Sequence, residues 1–173
     1  YYHAWVTFWS NRWEGGDGLT PNPYMASAAF MYPLQFFWDE FYHAILLADL
    51  KDPKLAYQFI DNFRFAQAPD GGMPGGLSFT RNVAEYRKEV ATKGSNDMQP
   101  VLLGVTLTQL SNKPGWPKDK IKTMYDTYNK YVNWLYKNKD IDKNGLVEYT
   151  NSFNSGADDS PRFDNLYAKG NHI

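Results

Sequence analysis

Apolar positions along this chain fall into helical periods, divided by segments rich in glycine and proline. From Trp38 onward Tyr42, Ile45, Leu46 and Leu50 recur at three- and four-residue steps, with Asp39 placed to cap the start and Pro33 bounding the segment upstream. A second helix is predicted from Asp52 as cap and Pro53 at the first helical position, carrying Leu55, Phe59 and Phe63 down one face as far as Gln67. Pro69-Asp70-Gly71-Gly72 cannot continue it, and residues 69–80 read as loop, followed by a polar stretch to Ser95 without assigned structure. A third helix is expected from about Gln99-Pro100, carrying Val101, Leu102, Val105 and Leu110, and ending at Pro114-Gly115-Trp116-Pro117. The clearest period is Ile121, Met124, Tyr125, Tyr128, Val132 and Leu135, ending near Asn138. Before the first helix, residues 1–22 mix Trp5, Trp9 and Trp13 with Gly15-Gly16-Asp17-Gly18 and read as an aromatic entry loop with room for a short strand. Beyond Asn138, residues 140–164 have almost no period.

Short turns join these helices in pairs, and longer loops separate the pairs. That is the pattern of α-hairpins, not of βαβ units, and no strict residue-level repeat overlies it. The predicted class is therefore all-α. A closed bundle is one arrangement; the long, aromatic-rich loops suit a toroid better, with loops gathered at one mouth.

Composition narrows the function. The 173 residues suffice for one domain with a core, and 43% hydrophobic against 21% charged residues place the chain in the ordinary globular class. A net charge of −1 without basic blocks argues against a nucleic-acid partner. The best apolar run, Ala44 to Leu50, is short and includes Asp49, which argues against a membrane span. The absence of cysteine excludes disulfides, thiolate zinc and a cysteine nucleophile, without fixing a compartment. The first residue is Tyr1 rather than Met, so the natural N-terminus is expected to lie upstream. Six Trp, thirteen Tyr and eleven Phe exceed what a core of this size requires. They fit either a large aromatic core or a sugar site, where flat rings cover the apolar faces of pyranoses.

The most informative stretch is Asn154-Ser155-Gly156-Ala157-Asp158-Asp159-Ser160-Pro161-Arg162-Phe163. A carboxyl group on a rigid loop beside a cation and aromatics is a candidate acid or base. Spacing alone rather favours an Asx-turn or a helix cap with a surface ion pair. Within this segment and Phe37-Trp38-Asp39, Gln99-Pro100 and Gly145-Leu146-Val147-Glu148-Tyr149, taken in order, the chain resembles glycoside hydrolase family 63, with relatives among the family 37 trehalases. The resemblance covers roughly residues 30–164.

It implies an incomplete catalytic (α/α)6 barrel over residues 1–173, with the entry loop at 1–30, the first hairpins at 31–139, and the acid loop and start of the next helix at 140–173. It further implies an inverting, exo-acting α-glycosidase acting on a terminal α-glucoside or related oligosaccharide. By the Ser-Gly-x-Asp pattern, Asp158 would be the general acid, holding its proton at working pH. Arg162 would position this loop near sugar hydroxyls; because a cation lowers a carboxyl pKa, burial or Asp159 has to oppose it. Phe37 and Trp38 would wall the site, Asp39 would accept from sugar hydroxyls, and Gln99 would reach the substrate from another helix mouth. Gly156 belongs to the acid-loop motif, and Phe153-Asn154 stands where the family often has Trp-Glu, so Phe153 would cover a sugar face without an indole donor.

Asp140-Ile141-Asp142-Lys143-Asn144-Gly145-Leu146-Val147-Glu148 offers oxygen ligands at alternating positions, like the first part of a calcium loop. Position twelve is Asn151, not the bidentate Glu, so it is either a structural calcium site built from Asp140, Asp142, Asn144 and Glu148 or a solvated turn that Gly145 allows. Hydrolysis of this kind requires no cofactor. His3, His43 and His172 lack metal-ligand spacing, and His43 reads as a packed residue.

Inversion needs a second carboxylate roughly 6.5–9.5 Å from the first. In the resembling families it is a Glu far downstream, and Glu14, Glu40, Glu85, Glu89 and Glu148 match no such position. The remaining part of the barrel is thus expected as a partner, on the same or a second chain. The alternatives are a sugar-binding barrel without the base, an epimerase or lyase on a similar toroid using His or Tyr, and a helical interaction domain.

Overall fold

The computed structural model describes residues 1–16, 18–28, 31–50, 52–78, 82–93, 98–149, 152–157 and 160–161, without the side chains of 90–93 and 153. Its helices are α1 (Tyr2–Ser10), α2 (Phe37–Asp49), α3 (Pro53–Ala66), α4 (Val83–Lys93), α5 (Leu103–Ser111) and α6 (Lys118–Asn138). Two-residue strands β1 (Arg12–Trp13), β2 (Tyr24–Met25), β3 (Gln35–Phe36) and β4 (Gly76–Leu77) form two antiparallel pairs, β1 with β2 and β3 with β4. The architecture is helical, as the periods predict.

α3 forms as its sequence signals direct. Asp52 Oδ1 accepts from Leu55 N at 3.0 Å, and Pro53 occupies the first turn, where its missing N–H costs nothing. α2, α3 and α6 enclose one aromatic core: Phe37 lies edge-on to Phe41, Phe63 and Tyr131 at centroid distances of 4.9, 5.0 and 5.4 Å. Edge-to-face packing matches the positive ring edge of one side chain with the negative face of the next.

Three expectations need correction, and one unassigned stretch gains a helix. The entry segment contains a helix, α1, because its glycines begin only at Gly15 and leave residues 2–10 free to wind. Asp39 does not cap α2: the extended Phe36 precedes the first helical residue, Phe37, and Asp39 lies inside the first turn. The polar stretch contains α4, whose start is capped by Asn82 Oδ1 accepting from Ala84 N at 2.8 Å. α5 begins at Leu103, not at Gln99, and buries Leu103, Thr106 and Leu110 while Val101 and Val105 face outward.

Candidate functional site

α2 starts where a strand delivers it. Phe36 pairs with Gly76 across β3 and β4, and the first two helical N–H groups find acceptors outside the helix: Phe37 N donates to Gly75 O at 2.9 Å and Trp38 N to Gln99 Oε1 at 3.2 Å. A helix leaves its first N–H groups without internal partners, so Gln99, sixty-one residues away in sequence, completes the start of α2. This turn then displays Trp38 and Asp39 on the wall of a cleft of about 540 Å³, lined also by Ser27, Tyr32, Leu34, Phe36, Gln99 and Gly156.

The acid loop is fastened to the same wall. Residues Ser152–Ser155 make a 3-10 turn in which Ser155 Oγ donates to Ser152 O at 2.7 Å and accepts from Ala157 N at 3.1 Å. The buried Asn154 donates through Nδ2 to Met98 O at 3.0 Å, beside Gln99. Gly156, at φ +70°, lies against the Trp38 indole so closely that a Cβ there would sit 2.7 Å from Cζ2 and 2.9 Å from Cη2. Only glycine satisfies both the left-handed backbone and this approach. Ser160 N donates to Ala157 O at 3.1 Å.

Asp158 and Arg162 lie outside the described residues, as does the Phe153 side chain. Trp38, Asp39, Gln99 and Gly156, from three separate segments, are brought together. Phe37 is not: it is fully buried among Phe41, Phe63 and Tyr131, because the helix turns its side chain to the core while Trp38 and Asp39 face the cleft. Phe36, one residue earlier and extended, takes the wall position instead. The motifs do not name Ser27, Tyr32, Leu34 or Phe36, and they include Asn154 without its role as an anchor. Tyr32 stands in the exposed aromatic segment before α2, whereas nothing in the sequence marks Ser27.

Chemically, the cleft pairs apolar rings with a few polar groups. Ser27 Oγ donates to Asp39 Oδ1 at 3.0 Å, and among the described residues Asp39 Oδ2 and the Gln99 amide nitrogen have no partner. An acceptor and a two-hydrogen donor beside Trp38 and Tyr32 suit a polyhydroxylated ring with one apolar face. His43 is packed elsewhere, 5.6 Å from the Phe8 ring and 3.1 Å from Glu40 Oε2.

A second acidic cluster follows α6. Carboxylate oxygens of Asp140, Asp142 and Glu148 lie within 4.8 Å of one another. Gly145 N donates to Asp140 Oδ2 at 3.2 Å and Ile141 N to Glu148 Oε2 at 2.6 Å. Asn144 Oδ1 accepts from Leu146 N at 2.8 Å, and Asp142 Oδ1 accepts from Asn144 N at 3.1 Å. Asp140 is 7% exposed, and its Oδ1 is buried without a partner. A hard cation with oxygen ligands fits three converging carboxylates and an orphaned oxygen.

The family model described as the mannosylglycerate hydrolase MGH1-like glycoside hydrolase domain matches residues 32–172. The mannosylglycerate hydrolase of Thermus thermophilus is 24% identical over 148 residues, covering 78% of this chain and 35% of the relative. Mannosylglycerate hydrolase MGH1 of Selaginella moellendorffii is 24% identical over 160 residues, covering 84% of this chain and 32% of the relative. The chain thus spans about a third of the length of these relatives. A crystal structure of the family 63 mannosylglycerate hydrolase from Thermus thermophilus in complex with Tris superposes with a TM-score of 0.72 at 22% identity, over 96% of this chain and 40% of the other. The same enzyme in complex with Tris and D-glycerate gives a TM-score of 0.68 at 23% identity, over 84% and 37%. At these identities the superpositions establish a shared fold. Among the described residues, no helix is long and apolar enough to cross a membrane.

Proposed function

This chain belongs to the MGH1-like glycoside hydrolase family, and on that premise we propose that its cleft is the acid-bearing part of an inverting, exo-acting α-glycosidase site. The observation that carries the reading is the convergence of Trp38, Asp39, Gln99 and Gly156 on one cleft from distant points in the chain. An interaction domain that merely shared these motifs would have no reason to aim them at a common space. Among the described residues the cleft lining holds Tyr32 but no histidine, so an epimerase or lyase would have to work through that tyrosine.

In this reading Trp38 covers the apolar face of the sugar, and Asp39 and Gln99 hold its hydroxyls. Asp158 protonates the glycosidic oxygen as the bond breaks, while a base from the remainder of the barrel activates water on the opposite face. Gly156 matters because its seat on Trp38 ties the acid loop to the sugar-binding wall. The relatives from Thermus thermophilus and Selaginella moellendorffii are mannosylglycerate hydrolases, so mannosylglycerate replaces a terminal glucoside as the proposed substrate.

The test is hydrolysis of mannosylglycerate and of an α-glucoside by the full-length protein, with NMR identifying the first-formed anomer. Asp158→Asn should lower the rate by about 10²–10⁴-fold without changing the melting temperature, as loss of a general acid does. An undiminished rate would sink the assignment.

The loop after α6 is proposed to hold a structural calcium through Asp140, Asp142 and Glu148, with Asn144 bracing Asp142 and Leu146. Calcium titration followed by thermal unfolding tests it: a bound ion raises the midpoint with concentration. A midpoint that does not move means a solvated turn.

A further inference from the structure

Glu40 follows Asp39 on α2 and faces the other way. It is 0% exposed, whereas Asp39 reaches the cleft. Its Oε1 accepts from Met25 N at 3.1 Å, and its Oε2 lies 3.1 Å from His43 Nδ1. Burial raises its pKa, and the contacts with His43, Met25 and Gln35 work against that rise. A buried carboxyl is costly, and an apolar side chain of similar volume would pack without that cost. Capping does not explain it, since Gly75 and Gln99 already serve the first N–H groups of α2.

Its partner segment supplies a reason. Met25 ends β2, and two residues later Ser27 donates to Asp39 Oδ1 at 3.0 Å. Adjacent carboxyls of one helix turn therefore hold the same short segment at two points: Glu40 through a main-chain N–H, Asp39 through a side-chain hydroxyl. The second contact depends on where the first sets the backbone. A carboxylate turns freely about its last bond unless one oxygen is tied, and a tied oxygen fixes the plane in which the other is presented.

We infer that Glu40 is a positioning residue for the cleft: by holding Met25 N it sets Ser27 where its hydroxyl takes Asp39 Oδ1, leaving Oδ2 for a substrate hydroxyl. This rests on the reading of the cleft as a sugar site. The geometry between Glu40, Ser27 and Asp39 has a readout that does not need the sugar.

The experiment compares Ser27→Ala, Glu40→Met, Glu40→Gln and the double variant Ser27→Ala/Glu40→Met in the full-length protein. It records three quantities: the Asp39 carboxyl carbon resonance, the Kd for mannosylglycerate and the melting temperature. Ser27→Ala and Glu40→Met should move the Asp39 resonance in the same direction and each weaken binding about tenfold, the value of one hydrogen bond. The double variant should bind no more weakly than the worse single variant, because both changes break one linkage. Glu40→Gln keeps an acceptor for Met25 N and should resemble wild type in the Asp39 resonance and Kd. If Glu40→Met does not fold, Glu40→Asp takes its place; it keeps the charge, shortens the reach by one methylene and should move the resonance in the same direction. The inference is overturned if the Glu40 variants lower the melting temperature but leave the Asp39 resonance and Kd at wild-type values. Should the wild type fail to bind mannosylglycerate, the sugar-site reading falls, and the Asp39 resonance alone decides whether Glu40 sets Ser27.

Discussion

The first turn of α2 and the loop after α6 both crowd acidic side chains into a few residues, and they dispose of the charge in opposite ways. On α2, Asp39 and Glu40 point apart and each takes its own partners, Ser27 for one and Met25 with His43 for the other. In the loop, Asp140, Asp142 and Glu148 converge, and one buried oxygen of Asp140 is left without a donor. The α2 turn is complete as built, because the core and the neighbouring strands supply every partner it needs beyond the cleft. In the loop, the buried Asp140 Oδ1 is the oxygen to which the proposed calcium would bind. A cluster of carboxylates in sequence therefore says little until the donors around it are known.

The sharpest way to break the comparison is through the packing beneath each region. Phe37→Ala removes a fully buried ring from the cluster with Phe41, Phe63 and Tyr131, and should cost about 3–5 kcal/mol. The corresponding change in the loop, Leu146→Ala, removes a side chain that is 69% exposed and should change stability by less than about 0.5 kcal/mol. Chemical denaturation of both variants measures this difference. Equal losses would mean that the α2 turn is not the better-anchored region.

Next in size is Gly156→Ala. The added methyl meets the Trp38 indole at 2.7 Å and also strains a backbone at φ +70°, so a loss of about 1–3 kcal/mol is expected. Trp38 has to shift to accept the methyl, and its fluorescence should change with it. A variant as stable as wild type with an unchanged emission spectrum would detach the acid loop from α2.

How far the sequence reached follows the same division. α3 was legible because Asp52-Pro53 is a local signal that no tertiary contact had to supply. α6 was legible because its apolar period is long, although Tyr125, counted on its inner face, is 63% exposed, and Thr127 and Tyr131 are buried instead. α4 escaped although Val83, Tyr86 and Val90 repeat at helical spacing, because Arg87, Lys88 and Glu89 between them make the stretch polar, and its start depends on Asn82.

At the cleft, the motif letters identified Trp38, Asp39, Gln99 and Gly156 but not the phase of the helix. That phase was available in the spacing of Phe37, Phe41, Ala44 and Ala48, which line the buried side. The roles of Ser27, Glu40 and Asn154 had no local signal, since each acts on a partner at least twelve residues away.

A smaller effect tests the loop itself. In the presence of a chelator, Asp140→Asn removes one of three converging negative charges while keeping an acceptor for Gly145 N. It should leave stability unchanged or raise it by up to about 1 kcal/mol. With calcium added, wild type should overtake the variant, because only the wild-type loop retains its full set of anionic ligands. Thermal unfolding in chelator and in calcium reads the reversal; the same ranking in both would remove the cation from the picture.

The smallest effect concerns the α2 turn and depends on the sign of one pKa shift. Burial raises the Glu40 pKa above its ordinary 4.5, with His43, Met25 and Gln35 opposing that rise in part. The folded protein therefore binds this proton more tightly than the unfolded chain. The resulting stability is fully present below about pH 4.5 and is lost as pH rises through the folded pKa. Glu40→Gln is neutral throughout and keeps the Met25 bond, so its melting temperature should gain on wild type as pH rises from about 4 to 8. Tyr24, which also feels Glu40, is pushed up to about 12 by burial and stays neutral across this range. Repeating the scan in a His43→Gln background removes the histidine's own titration. A gap that closes with rising pH in the wild-type background but not in the His43→Gln background would mean that Glu40 is held as a favourable anion by His43, making the α2 turn a place where charge needs a cation.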